Sequence, residues 1–206
     1  MKFFANKRQV VNKIGAAALM VMLSMTMLTG CGSRADRNSD EVSTESAPNT
    51  AGMVHLDSAD DVTAFMDEVY GGVAEDLLPM DVTTTELDMN DEDMIEYQTG
   101  LTDISGVAGI YLSESMITST AYSAVYIRTT DEADAEQVRQ QLMDSINPSK
   151  WICVTAEKQS AAVFGNDVFF VMGYPDTVDA VMDKAIAAAQ TRGMKTSDTI
   201  EKVNPI

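Results

Sequence analysis

Hydrophobic residues recur along this chain with two different periods, which separate its helices from its strands. Apolar side chains three and four positions apart form one face of an amphipathic helix. This pattern first occurs at Val62, Phe65, Met66 and Val69. Similar stripes predict three later helices, over residues 91–99, 131–146 and 176–192. Asp91, Thr130 and Asp176 precede or open these helices and are expected to cap them, and Gly100 and Gly193 are expected to end two of them.

Strands are predicted where apolar residues alternate or form short unbroken runs. Residues 105–112 and 122–128 alternate weakly and are joined by a polar loop, which predicts one hairpin. A second hairpin is predicted around Gly165-Asn166, because two-residue turns of this kind need positive φ angles. Its second strand, 167–172, is continuously apolar and is expected to be central in the sheet, whereas the Thr-rich stretch 81–85 favours extended chain.

These elements predict one α+β domain over residues 57–193. Its expected core is a four-stranded, mostly antiparallel sheet of two hairpins, with the helices packed on one face. Residues 194–206 are expected to form a frayed C-terminal tail.

The first 30 residues have the pattern of an export signal. A basic start without any acidic residue precedes an apolar run of 15 residues over 14–28, as in secretory signal peptides. The run is short for a membrane span, which needs about 20 residues. It ends in a four-residue motif formed by Leu28, Thr29, Gly30 and Cys31.

This motif resembles the lipobox of bacterial lipoproteins. The resemblance implies that the sulfur of Cys31 receives a diacylglyceryl group and that cleavage removes residues 1–30. The alternatives are an ordinary signal peptide followed by a chance cysteine, or an uncleaved anchor. Residues 31–56 would then be the lipidated cysteine and a spacer, which is expected to be disordered because it is rich in polar residues and nearly free of large aliphatic ones.

The charge balance excludes one class of partner. The chain carries 14 basic and 32 acidic residues, a net charge of −18; without the four basic residues of the signal, 10 remain and the charge is −22. Nucleic-acid binding needs Lys and Arg to neutralise phosphates, so no nucleic-acid partner is expected. Acidity also argues against binding along an anionic lipid surface, which leaves the lipid on Cys31 as the membrane contact.

The densest acidic cluster does not fit a calcium-binding loop. With Asp88 at loop position 1, position 6 is Asp93 where the sharp turn needs Gly, and position 12 is Thr99 where the loop needs a bidentate Glu. The cluster is therefore better explained as an acid-rich helix start. A weaker divalent-cation hypothesis stays open for Asp88, Asp91, Glu92 and Asp93.

Few other side chains suggest chemistry, and no cofactor motif is present. Cys153 has no disulfide partner once Cys31 is lipidated, and its apolar neighbours predict a buried, unreactive thiol. His55, the single histidine, lies at the edge of the spacer, where no catalytic pair can be built on a rigid scaffold. Tyr111, Tyr122 and Tyr126 either line a ligand surface on an exposed sheet face or form cross-strand pairs.

The region from about residue 62 to 187 resembles the uncharacterised Gram-positive lipoproteins grouped as domain of unknown function 4358. The resemblance is carried by the segment 97–128, which runs into an Ala-Val-Tyr-Ile-Arg strand, by the helix over 131–146, and by the hairpin at 163–168 before an acid-capped helix. The family implies no established activity, so no functional residue is carried over from it.

The leading hypothesis is a non-enzymatic binding or interaction module, held by lipid on the outer face of a Gram-positive membrane and facing an envelope protein or a small ligand. One alternative is a carboxylate-based cell-envelope hydrolase, which needs two acids about 5–10 Å apart across a cleft. The other is a divalent-cation-binding lipoprotein. No cofactor is expected, and the sequence sets no oligomeric state.

Overall fold

The structure is a computed structural model that describes residues 55–116, 119–131 and 133–204. The predicted signal peptide, the lipobox with Cys31 and nearly all of the spacer lie outside these residues. Within them, no helix is long and apolar enough to cross a membrane. The spacer's last two predicted residues, His55 and Leu56, are described, and Leu56 is already buried.

Four helices and six strands make up the described chain. The helices are α1 (Ala59–Gly71), α2 (Glu92–Thr99), α3 (Ala135–Ser145) and α4 (Pro175–Thr191). The strands are β1 (Val82–Glu86), β2 (Val107–Ser115), β3 (Ser123–Thr129), β4 (Lys158–Phe164), β5 (Asp167–Gly173) and β6 (Ile200–Val203).

The strands form one open sheet in the order β1-β2-β3-β5-β4-β6, with every neighbouring pair antiparallel. The α+β class, the antiparallel sheet and both hairpins are confirmed, and β5 is an inner strand as expected. The expected number of four strands is wrong, because the described sheet has six. The Thr-rich stretch forms the edge strand β1, and β6 lies within the predicted tail.

Local capping explains where the helices begin. Ser58 caps α1 by accepting a hydrogen bond from the backbone N–H of Asp61, and Asp91 caps α2 as predicted. The cap of α3 is Asp134, which accepts from two backbone N–H groups, so the expectation of Thr130 is wrong. Helix α4 begins at Pro175 without a side-chain cap, so the expectation that Asp176 caps it is wrong. The proline at the first helical position removes one N–H group that would otherwise lack a helical partner.

Helices cover both faces of the sheet, which corrects the expectation of a single helical layer. One core contains residues of α1 and α4 with Tyr126, Phe164 and Phe169. The other contains residues of α2 and α3 with Val168 and Phe170. Successive side chains of a strand point to opposite faces, so the unbroken apolar run of β5 needs cover on both sides. All seven of its residues are buried.

Candidate functional site

The three candidate tyrosines lie inside the core rather than on an open face. Tyr111, Tyr122 and Tyr126 are buried among residues of α1 and α4. Tyr111 lies opposite Tyr126 in the β2–β3 register, so the cross-strand interpretation is confirmed for this pair. The exposed sheet face on which the ligand hypothesis depended is covered by helices. The tyrosines therefore contribute packing, and the Phe65 and Tyr126 rings lie 5.3 Å apart.

A fully buried carboxylate, Asp167, joins the start of the domain to the sheet. It accepts hydrogen bonds from His55 Nδ1 at 2.8 Å, Leu56 N at 3.0 Å, Thr129 N at 3.1 Å and the Tyr126 hydroxyl at 2.9 Å. Four donors match the four lone-pair positions of a carboxylate. The sequence predicted that His55 lies outside any rigid scaffold, but the structure attaches it to the sheet through Asp167.

The same histidine also contacts a surface acid. Its Nε2 lies 3.1 Å from Oδ1 of Asp131, whose side chain is 89% exposed. A His between two carboxylates resembles the base and orienting acid of a catalytic triad, which also needs a nucleophile hydrogen-bonded to the His. Both ring nitrogens of His55 contact carboxylates in the described residues, so neither is hydrogen-bonded to a nucleophile there. Burial, reinforced by Asp167, raises the pKa of Tyr126 well above its usual value, so this phenol stays protonated and donates.

The acid cluster is engaged in local backbone contacts. Asp88 accepts from the backbone N–H of Asn90 at 2.9 Å, and this bond holds the pKa of Asp88 below its ordinary value. Asp91 caps α2 through Met94 N at 3.0 Å. Within the described segments, no group of three or more His, Cys, Asp or Glu residues is arranged to hold a metal ion. The structure therefore does not assemble the four candidate acids into a ligand set.

A polar groove of about 350 Å³ between the start of β2 and α3 is one of the clefts that bring two carboxylates together. Its carboxylates are Asp103 and Asp134. Asp103 accepts from Ser105 N at 3.0 Å, which lowers the pKa of Asp103, and Asp134 caps α3. A glycosidase needs a general acid whose pKa is raised. The pKa of Asp103 is shifted in the opposite direction, and Asp134 is engaged as the cap of α3, so neither carboxylate is placed as that acid.

Lys150 holds the loop between α3 and β4 against the sheet. Its buried Nζ lies 2.7 Å from Glu114 Oε1, 2.5 Å from Gln98 Oε1 and 3.1 Å from Ser123 Oγ. Burial lowers the pKa of Lys150, whereas Glu114 opposes that shift by stabilising the charged form. Gln98 belongs to α2 and Ser123 to β3, so the ammonium group links a loop, a helix and two strands.

The expectation that Cys153 is buried is wrong. Cys153 is exposed, and its backbone has a φ of 66°. Ile152 beside it is 83% exposed. The loop is anchored by Lys150, with Trp151 and Val154 packed against the core, so the two residues between them point outward. An apolar local sequence predicts burial only where a regular element fixes which side chains face inward.

The outer edge of β1 exposes backbone hydrogen-bonding groups. The residues on either side of β1 form backbone hydrogen bonds with the β2 chain. Met116 N donates to Asp81 O at 3.2 Å, and Leu87 N donates to Ile110 O at 2.9 Å. In antiparallel pairs, residues bonded to the partner alternate with residues whose backbone groups point away. Thr83 and Thr85 therefore bond to β2. The N–H and C=O groups of Val82, Thr84 and Glu86 point outward and meet no other strand of the described sheet.

The opposite edge, β6, is protected by contrast. Asn204 N donates to Glu157 O at 2.8 Å, which turns the backbone groups of Glu201 and Val203 outward. Strand β6 has four residues, and its Glu201 pairs with Lys158 at 3.0 Å. Short, charged edges of this kind resist pairing with another chain. Strand β1 has no Lys, and its centre is three consecutive threonines.

The chain segment that forms β1, β2 and most of β3 is acidic, although Lys150 from the loop between α3 and β4 contacts β2 and β3. Residues 71–127 contain 11 acidic residues and no Lys, Arg or His. Two methionines at one end of β1 are strongly exposed, Met80 at 68% and Met116 at 72%. The outer edge of β1, with Val82, Thr84 and Glu86 as its outward-facing residues, is the candidate site that sequence reasoning missed. Its one sequence signal is an uncharged Thr run outside the two predicted hairpins.

Comparisons with protein-family models, with curated proteins and with solved structures found no match to this chain. The resemblance to the Gram-positive lipoprotein family therefore stays a prediction.

Proposed function

We propose that this protein is a non-enzymatic interaction module, anchored through a lipid on Cys31 to the extracytoplasmic face of a Gram-positive cell membrane. Its folded domain would bind an envelope protein or a small ligand beyond the membrane. The anchor rests on the basic start, the apolar run and the Leu-Thr-Gly-Cys motif. Two acyl chains on one cysteine are enough for stable attachment.

The observation that carries the interaction role is the outer edge of β1. An unprotected edge is a template for pairing with another chain, and folded proteins usually blunt such edges. Here β6 is short and charged, which disfavours pairing, whereas β1 keeps three residues whose backbone groups face outward. Retention of a single open edge favours a binding role for it.

The two alternatives have less support. The hydrolase needs a facing acid and base, but Asp103 and Asp134 of the polar groove are both occupied as acceptors of backbone N–H groups. The cation binder needs convergent oxygens, but Asp88 and Asp91 are each committed to separate backbone contacts.

Site-specific photo-cross-linking in intact cells tests the interaction role. A photoreactive amino acid replaces Thr83, whose side chain is exposed on β1. The matched control carries it at Val203, which is 75% exposed on the opposite edge. We expect a discrete, light-dependent product from position 83 and none from position 203. No product at 83, or the same products at both positions, would contradict the proposal.

A further inference from the structure

We propose that the outer edge of β1 takes up an extended, Lys- or Arg-bearing segment of another protein as an additional strand of the sheet. This inference rests on the proposed interaction role and gives it a binding mode and a partner chemistry. In strand addition, main-chain hydrogen bonds provide affinity, and alternate side chains provide specificity.

The backbone geometry defines the shape of the partner. Val82, Thr84 and Glu86 each present one N–H and one C=O group outward, at the two-residue repeat of a strand. Only an extended chain offers donors and acceptors at that repeat. An incoming strand can use all three residues without disturbing β2, because β1 bonds to β2 through the residues between them.

The side chains leave room for such a strand. Thr83 and Thr85 are exposed, and Val82 and Thr84 are half-buried. The Thr84 hydroxyl already bonds to Ser113 Oγ at 2.7 Å across the β1–β2 pair. Threonine is a strong strand former without charge, so it favours pairing where the lysines of a guarded edge would oppose it.

The charge around the edge selects the partner. Asp81 and Glu86 lie at the two ends of the strand, and Asp88 follows just beyond it. The stretch 71–127 has no cation of its own. Lys150 reaches this part of the sheet but pairs with Glu114, and no ion pair among the described residues includes Asp81, Glu86 or Asp88. A segment with Lys or Arg side chains gains complementary charge, which also speeds association. Unbranched methionines, such as exposed Met80 and Met116, adapt to varied apolar side chains at one end.

A second copy of this chain is a poorer occupant. Pairing two β1 edges about Thr84 satisfies the backbone, but it brings together two acidic edges, each with Asp81, Glu86 and Asp88, on strongly acidic chains. Like charges facing each other across an interface oppose association. Charge therefore favours a basic segment of a different protein.

The test uses the full chain, purified in a zwitterionic detergent, and a fluorescent synthetic peptide of about nine residues that alternates Lys with Val or Thr. Binding is followed by fluorescence anisotropy, and hydrogen exchange is followed in the fragment covering residues 80–87. We expect saturable binding that weakens with added salt and slows exchange in this fragment. A peptide with Glu in place of Lys is expected to bind at least about tenfold more weakly, because it repels the acidic edge.

Two variants place the binding on the β1 edge. Thr84→Pro removes an outward N–H and the side-chain bond to Ser113, but no backbone bond to β2, and proline is tolerated at such edge positions. We expect it to weaken peptide binding about tenfold or more, since a hydrogen bond is lost and the ring obstructs the added strand. The matched control, Val203→Pro, makes the same change on β6 and is expected to leave binding unchanged.

A modified peptide tests pairing without altering the protein. N-methylation of two adjacent central residues blocks both edges of the peptide, and we expect it to abolish binding to the unmodified chain.

Equal binding of the methylated peptide, or of the Thr84→Pro variant, would overturn strand addition. Equal binding of the Glu peptide would overturn the basic partner. A peptide-free dimer that Thr84→Pro dissociates would identify a second copy as the occupant and overturn the proposal. A cross-link at position 83 in cells together with a failed peptide test would leave the interaction role intact and reject only this binding mode.

Discussion

At the scale of single residues, the most informative side chain is Asp167. Sequence reasoning read it as the first residue of a strand after a turn, which is confirmed. Its four hydrogen bonds join residues up to 112 positions apart, and such pairings leave no local pattern. His55 was misplaced for the same reason, since its partners Asp131 and Asp167 are distant in sequence.

Asp167→Ala is expected to lower the free energy of unfolding by about 3–5 kcal/mol, because it leaves the buried N–H groups of Leu56 and Thr129 without an acceptor. The matched control is Asp131→Ala, which removes the exposed carboxylate that contacts the same histidine and is expected to cost less than about 1 kcal/mol. Urea unfolding of both variants measures the difference. Equal costs would show that Asp167 does not organise the domain.

Buried Tyr122 and partly buried Tyr70 make stability depend on alkaline pH. Burial raises the pKa of Tyr70 to about 12, and burial raises the pKa of Tyr122 well above its ordinary value. Because the pKa is higher in the folded state, the folded chain binds more protons, and this stabilisation is complete below the unfolded value of about 10. It is lost as pH rises from about 10 through the folded pKa.

We therefore expect the free energy of unfolding to fall between pH 9 and pH 11.5. Tyrosinate absorbance at pH 11 is expected to increase sharply when urea unfolds the chain. Tyr122→Phe removes one of the raised groups, so its stability is expected to fall less over this range than that of the unmodified chain. A flat stability profile above pH 10 would contradict the burial of these phenols.

At the scale of elements, local chemistry predicted the turns and most of the helices. Gly165 has a φ of 66° in the hairpin turn, as the Gly-Asn signal indicated. Gly100 ends α2 with a φ of 74°. Strand β6 has only four residues, two of them charged, and pairs with β4 far back in the sequence. Such a strand depends on tertiary pairing rather than on its own propensity, so it was missed.

Gly100 gives an element-scale prediction. A Cβ added there would lie 2.4 Å from the backbone of Ser145 at the end of α3, and the positive φ already disfavours a side chain. We expect Gly100→Ala to lower the free energy of unfolding by at least about 2 kcal/mol, through strain and displacement of α3.

The control is Gly71→Ala at the end of α1, where an added Cβ meets nothing within 4 Å. It is expected to be neutral or to stabilise by up to about 1 kcal/mol. Thermal unfolding of both variants decides the matter. A Gly100→Ala variant as stable as Gly71→Ala would show that α2 and α3 do not meet at this close contact.

At the scale of the whole molecule, the α+β class followed from the order of helical and strand patterns. The second helical layer did not, although the fully apolar run of β5 contained its signal. The open β1 edge could not be predicted from the sequence, because the tertiary pairing of all the strands decides which of them lies at an edge. Charge, in contrast, could be read directly: residues 71–127 contain no base, although Lys150 from outside this stretch pairs with Glu114 of β2.

The proposed membrane attachment is also a property of the whole molecule. Cys31→Ala is expected to move the protein from the membrane fraction to the soluble or secreted fraction, because in the proposed lipoprotein the acyl chains would provide nearly all of the membrane affinity. Cys153→Ala, which changes the other cysteine, is expected to leave the protein in the membrane fraction. A Cys31→Ala protein that still sediments with membranes would contradict the lipid anchor.

The open β1 edge can be measured directly by amide hydrogen exchange, resolved by residue, in the full chain without a partner. Amides bonded to β2 exchange slowly, and outward-facing amides at an unpaired edge exchange rapidly. The predicted result is alternation, with Thr83 and Thr85 protected and Val82, Thr84 and Glu86 exchanging at least about tenfold faster. Equal protection of all five amides would show that another segment or copy already covers the edge, and it would contradict the central claim.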